Sequence, residues 1–170
     1  KFPDVGEVNA YYEKFGKRYP LNAHKYVITV DPFKSTVTVG QGSKGAGGIW
    51  IKPNPLDPEN TGLLVAVYWH RPKLRKNLHE QMIMAAEYYG AELCYESDYD
   101  DYIEFLMERN RLGYAKERPK NTIDPNRKRR SSPVREYGIK SADGFSYGTM
   151  IDRSIAYVEG YCHKIYFDEV

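Results

Sequence analysis

Two acids stand where apolar, β-branched runs end. Tyr26-Val27-Ile28-Thr29-Val30 runs into Asp31, and Ala91-Glu92-Leu93-Cys94-Tyr95 runs into Glu96. A carboxylate at the carboxyl end of a buried strand has rigid backbone beneath it and its head at the rim of the sheet. Two such groups are suited to share a hard divalent cation. The chemistry this offers is phosphodiester hydrolysis, which needs a water made nucleophilic at neutral pH and neutralisation of charge on the phosphate and its leaving oxygen. Two cations ~3.5–4 Å apart supply both. Asp31, central in such a sheet, would bridge the ions, and Glu96 would bind one of them from beside it. Clustered carboxylates repel until a cation arrives, so metal affinity and carboxylate titration are linked. For either acid alone a solvated strand end is the competing reading; the pair in one setting favours the metal site. Asp98, Asp100 and Asp101 follow Glu96 closely and read first as helix N-terminal acids favoured by the macrodipole, with a role as outer ligands second.

The elements that must position these acids can be read from periodicity and punctuation. The first strand ends at Asp31. A Gly-, Ser- and Thr-rich loop from Lys34 to Gly47 follows, in which Ser35 to Val39 alternates and is an ambiguous strand, and then a second strand, Gly48 to Lys52. Pro53, Pro55 and Pro58 with Asn54 and Asn60 form a turn region, and Leu63 to Trp69 is the third strand. Asn77, with Glu80 three residues on, is the expected N-cap of a helix that Gly90 ends, its apolar face made by Leu78, Met82, Ala85, Ala86 and Tyr89. Leu93 to Glu96 is the fourth strand. A second helix starts near Asp100 with Ile103, Leu106, Met107 and Asn110 on one stripe and Gly113 as its stop, and a further helix is expected over Tyr147 to Tyr161. Residues 1–24 are Tyr- and Lys-rich with a possible short helix from Val8 to Phe15, and they read as a linker. The predicted class is α/β, a mixed β-sheet flanked by helices. Three strands, a helix, a strand and a helix is the order of the RNase H-like fold, in which the fourth strand returns parallel beside the first. Asp31 and Glu96 would then lie about one inter-strand spacing, ~5 Å, apart.

Several short stretches in this order carry a family resemblance. They are Val30-Asp31-Pro32-Phe33, the Gly/Ser loop, Tyr68-Trp69-His70-Arg71-Pro72, Ala86-Glu87-Tyr88-Tyr89-Gly90-Ala91-Glu92, Tyr95-Glu96-Ser97 and Tyr137-Gly138-Ile139. Together they resemble the C-terminal nuclease domain of phage terminase large subunits, over residues 25–170. The resemblance implies a domain that cuts concatemeric viral double-stranded DNA during genome packaging with Mg²⁺ or Mn²⁺, Asp31 and Glu96 being the first two acids. It implies an ATPase domain upstream in the same chain, a portal and a small terminase subunit as partners, and action in the host cytoplasm without a membrane. The family takes a third acid from a helix near the C-terminus, and this sequence is expected to stop before it. Asp152 is the candidate third ligand, with Asp168 as a substitute, and Asp143 is read as a turn residue. A catalytically silent domain of the same fold, gripping DNA or docking on the motor, is the alternative reading. A junction resolvase or an RNase H is a further one.

Contact with DNA is expected from Arg127-Lys128-Arg129-Arg130, four consecutive basic residues between Pro125 and Pro133, extended by Lys116, Arg118 and Lys120, a solvated basic loop without a ligand being the competing reading. Such a run neutralises phosphates without reading sequence. Lys34 and Lys44 border Asp31 and would close over a strand. The sixteen tyrosines are read as core and half-buried surface before stacking platforms.

Composition excludes more than it assigns. At 170 residues, 28% charged and 41% hydrophobic, the chain can bury one good core and has neither a disordered signature nor a membrane-length apolar run. A net charge of +2 says little by itself about nucleic acid, since what matters is where the charge lies. Cys94 and Cys162 lack metal-ligand spacing and read as reduced thiols, and the histidines at 24, 70, 79 and 163 are scattered, which speaks against zinc. Gly42-Ser43-Lys44-Gly45-Ala46-Gly47 lacks the Gly-Lys-Ser/Thr order of a nucleotide-binding loop.

Overall fold

The computed structural model describes residues 8–33, 44–97, 101–120, 123, 135–140 and 144–161. Alternation along the first predicted strand sets the architecture. Tyr26, Ile28 and Val30 are buried, while Val27, Thr29 and Asp31 point to the opposite face. The elements in chain order are β1 (Tyr11–Lys14), β2 (Lys17–Pro20), β3 (Tyr26–Asp31), β4 (Gly45–Ile51), β5 (Leu64–His70), α1 (Arg75–Tyr89), β6 (Glu92–Tyr95), α2 (Asp101–Glu108) and α3 (Gly144–Tyr161), with a 3₁₀ turn at Leu112–Tyr114. The main sheet has the order β5-β4-β3-β6. Its first three strands each run antiparallel to their neighbour, and β6 returns parallel to β3 with Val27 beside Glu92 and Val30 beside Tyr95. The protein is a mixed α/β fold, a mixed sheet flanked by helices.

One face of the sheet carries the core. Leu78, Met82, Ile83, Ala86 and Tyr89 of α1, with Ile28, Val30, Leu93 and Tyr95 of the sheet and Tyr102, Phe105 and Leu106 of α2, form the core cluster, and the polar His79 of α1 is buried too. Burying side chains of this size is worth about 1.5–3 kcal/mol each, so this face dominates the stability. The opposite face bears α3, where the Tyr157 hydroxyl donates to the Gly62 carbonyl at 2.8 Å and its ring meets Trp50 edge-on at 5.7 Å. No helix among the described residues is long and apolar enough to cross a membrane.

Several local expectations change. Val8 to Phe15 is not helical; residues 11–20 form the β1–β2 hairpin, tied to the domain by Asn9 N–H to Tyr88 O and Asn22 N–H to Gly90 O, so the chain is within the fold well before residue 25. The stretch Gly45 to Gly47, expected as loop, is strand. A Cβ at Gly45 would stand 2.8 Å from Leu78 Cδ2, so the glycines here let α1 lie close against the sheet. Helix α1 begins before Asn77: its N-cap is Leu74, without a side-chain cap, and Asn77 N–H bonds the Leu74 carbonyl. Gly90 ends it as expected, at φ 61°. On α2 the buried stripe is Tyr102, Phe105 and Leu106, with Met107 exposed; Asn110, at φ 54°, lies beyond the helix rather than on its stripe. The possible strand Ser35 to Val39 lies outside the described residues.

Candidate functional site

Pairing of β3 with β6 does not stop at the last strand residue. Glu96 N–H donates to Val30 O at 2.9 Å, continuing the parallel ladder, and Asp31 follows Val30 as the last residue of β3. On the outer side of β6, Ile139 N–H donates to Tyr95 O and Ser97 N–H to Ile139 O, both at 2.7 Å. Glu96 is thus fixed between backbone partners on both sides. Gly138 makes this possible: its φ is 69°, and a Cβ there would come 2.5 Å from the Tyr95 carbonyl.

Asp31 is exposed and Glu96 half-buried, and both line one cavity of about 340 Å³. Its walls include Thr29, Cys94, Ile139 and, from α3, Tyr147 and Met150. The two carboxylates stand at the ends of neighbouring strands. The carboxylate oxygens are hard donors of the kind that can hold a divalent cation such as Mg²⁺ or Mn²⁺, while Cys94 and Met150 place sulfur in the same wall. Among the described residues, no group of three or more His, Cys, Asp or Glu side chains is arranged to hold a metal ion. Cys94 in the wall is buried and its thiol is pushed up to about 11, chiefly by burial, so it is neutral at physiological pH and no nucleophile.

Behind the strand end sits a buried polar cluster. His79, with 2% of its surface exposed, places Nδ1 2.9 Å from the Tyr95 hydroxyl and Nε2 3.6 Å from Asp101 Oδ2, and Arg75 donates to the same carboxylate oxygen at 2.8 Å. Burial lowers the imidazole's affinity for a proton; nearby Asp101 opposes this, and Arg75 reinforces it. Burial likewise holds the Tyr95 and Tyr102 hydroxyls well above their ordinary values, so both stay protonated. Tyr95 immediately precedes Glu96, and this cluster joins that residue to the start of α2.

The other expected site residues fall in different places. Asp152 is exposed on α3; Met150 lines the cavity, and two residues on is about 200° around a helix. Lys44 is exposed one residue before β4, near the Ala46 that pairs with Asp31, and its Nζ lies 5.7 Å from the Trp69 ring. Asp101 is engaged by Arg75 at the start of α2, in keeping with a helix N-terminal role. Lys34, Arg127, Lys128, Arg129 and Arg130 lie outside the described residues, as do Asp98, Asp100, Asp143, Asp168 and Cys162. Sequence reasoning passed over His79, although 79, 82, 83 and 86 share a helical face, which is the signal that would have placed it in the core. Tyr147, Met150 and Ile139 carry no such local signal.

Comparison with known proteins finds no matching family model, no matching curated protein and no matching solved structure.

Proposed function

We propose that this chain is an RNase H-like, divalent-metal-dependent DNA endonuclease domain of the kind found in phage terminase large subunits, cutting concatemeric viral DNA during packaging in the host cytoplasm. The single observation that carries the reading is that Asp31 and Glu96, from strands paired in parallel, open into one cavity. The strand order β5-β4-β3-β6, with a helix crossing from β5 to β6, is compatible with that fold. In this reading Asp31 and Glu96 would hold two Mg²⁺ or Mn²⁺ ions, which would supply charge neutralisation at the phosphate and a water of lowered pKa. The chain's own part is positional. The ladder bond from Glu96 to Val30 sets the two strand ends side by side, Tyr147 and Met150 line the cavity wall, and Lys44 would meet phosphate near Asp31. The basic run 127–130 would hold double-stranded DNA by its backbone. An upstream ATPase domain, a portal and a small terminase subunit would be its working partners.

A second reading is supported by one observation: among the described residues the cavity has two carboxylates, and α3 contributes an aromatic ring and a thioether to its wall. A domain that grips DNA without cutting it fits that wall. Incubation of supercoiled plasmid with the protein in Mn²⁺, Mg²⁺ or EDTA separates the two. Nicking that needs metal and is abolished by Asp31→Asn and by Glu96→Gln supports the nuclease. Retardation of intact plasmid in every buffer supports the silent domain.

A further inference from the structure

The turn of the β1–β2 hairpin is built against its own stereochemistry. Phe15 and Gly16 both have positive φ, 52° and 67°, as in a two-residue hairpin turn of type I′. Asparagine, aspartate and glycine take the first of these positions with little strain. Phenylalanine does not, because its Cβ crowds the following carbonyl. Burial does not repay that strain, since Phe15 is 90% exposed. Nor is the tip loose. Asn110 Nδ2 donates to the Gly16 carbonyl at 2.6 Å, Tyr12 and Tyr19 stack across the ribbon at 5.2 Å, and the Arg18 guanidinium lies 4.4 Å over the Tyr11 ring. The ribbon therefore presents Phe15, the most exposed of its aromatic rings, to solvent.

The charge around that ring points to its partner. Lys14 and Lys17 are exposed on either side of the turn, and Lys14 Nζ lies 5.6 Å over the Phe15 ring. Glu13, the nearby acid, is held by Arg18 at 3.1 Å. An apolar protein surface would have to desolvate both ammonium groups to reach the ring, whereas a polyanion with flat rings suits all three side chains at once. We propose that the hairpin tip is a nucleic-acid contact in which Phe15 stacks on an unpaired base while Lys14 and Lys17 meet the flanking phosphates. This rests on the reading of a polynucleotide as substrate. The tip belongs to the end of the sheet away from the acids: β3 leaves the hairpin side at Tyr26 and reaches Asp31 about 17 Å later. It is a holding contact, remote from the chemistry.

The test is binding of a fluorescein-labelled single-stranded 20-nucleotide DNA, and of the matching duplex, to the wild-type chain and to Phe15→Asn, Phe15→Gly and Lys14→Ala/Lys17→Ala, all in EDTA. Phe15→Asn and Phe15→Gly relieve the backbone strain, so their melting temperatures should equal or exceed that of the wild type, which removes misfolding as an explanation. Single-strand affinity should fall at least about 5-fold for both, as expected for loss of one stacked base, and the double lysine variant should show a shallower dependence on salt. Single-strand affinity that stays at the wild-type value in the Phe15 variants overturns the proposal, whatever the duplex does, and so does a wild-type chain that fails to bind the oligonucleotide. Because no metal is present, this result is independent of cutting: a Phe15-dependent binder that never nicks plasmid keeps the hairpin contact and loses the nuclease reading, and a nuclease whose binding ignores Phe15 does the reverse.

Discussion

The backbone N–H of Glu96 donates to the carbonyl of Val30 at 2.9 Å, so the parallel ladder between β3 and β6 runs one step past the end of β6. That step sets Glu96 at the level where β3 yields Asp31, and alternation turns both side chains to the face opposite the core. The backbone beneath each carboxylate is held by the sheet.

Asp31 is exposed and Glu96 half-buried, so neutralising either should cost little stability. In EDTA, Asp31→Asn and Glu96→Gln should melt at or slightly above the wild-type temperature, with stability changed by less than about 1 kcal/mol, because an exposed or half-exposed acid beside a like charge contributes little favourable energy. With saturating Mn²⁺ the order should reverse. A ligand present at 100 times its Kd stabilises the wild type by about 2.7 kcal/mol, and the variants should lose most of that gain. Thermal melts in the two buffers check both parts.

The polar cluster under Glu96 should make the fold acid-sensitive. The His79 proton affinity is lowered in the folded chain, so between the lowered value and the ordinary value near 6.5 the unfolded chain binds the extra proton and the folded chain does not. Stability contributed by neutral His79 is therefore present above about pH 6.5 and is lost as the pH falls through that window. Asp101, Arg75, Tyr95 and Tyr102 are the groups facing it. Urea midpoints measured from pH 5 to pH 7.5 should rise with pH, and His79→Phe should flatten that slope even if it lowers every midpoint.

Gly138→Ala should damage the site through the backbone. Its positive φ and the approach to the Tyr95 carbonyl leave a Cβ no room, and relaxing the clash pulls Ile139 away from its bonds to Tyr95 and Ser97. A loss of more than about 1 kcal/mol by urea unfolding is expected, with weakened plasmid cleavage where Gly113→Ala, in the 3₁₀ turn packed against β2, would cost stability alone.

Cys94→Ala should leave cleavage within about twofold of wild type, because a buried thiol held protonated takes no part in proton transfer or nucleophilic attack. Initial nicking rates with Mn²⁺ decide it.

How much of this could be read from the sequence differs by element for physical reasons. The strand ending in Asp31 was legible because β-branched and aromatic residues alternate and stop at an acid, and Gly90 was legible because a helix end needs a residue at positive φ. The Gly45–Ile51 strand was half hidden: its glycines look like loop until Leu78 and Met82 of α1 are seen to occupy the space their side chains would fill. The hairpin was missed because Phe15 breaks the Asn-Gly rule for its turn, and the break is itself the informative feature. Asp31 and Glu96 were found as strand ends, whereas Ile139, Tyr147 and Met150 reach the same cavity only through long-range packing that no local pattern encodes.

The most direct measurement is Mn²⁺ binding followed by electron paramagnetic resonance, on the wild type, Asp31→Asn, Glu96→Gln and Asp152→Asn. The expected result is saturable binding in the wild type, at least a tenfold loss of affinity in each of the Asp31 and Glu96 variants, and wild-type affinity in Asp152→Asn, whose side chain is exposed on α3 away from the cavity. Absence of saturable Mn²⁺ binding, or Asp31→Asn and Glu96→Gln variants that bind as tightly as the wild type, would contradict a metal site at the ends of β3 and β6.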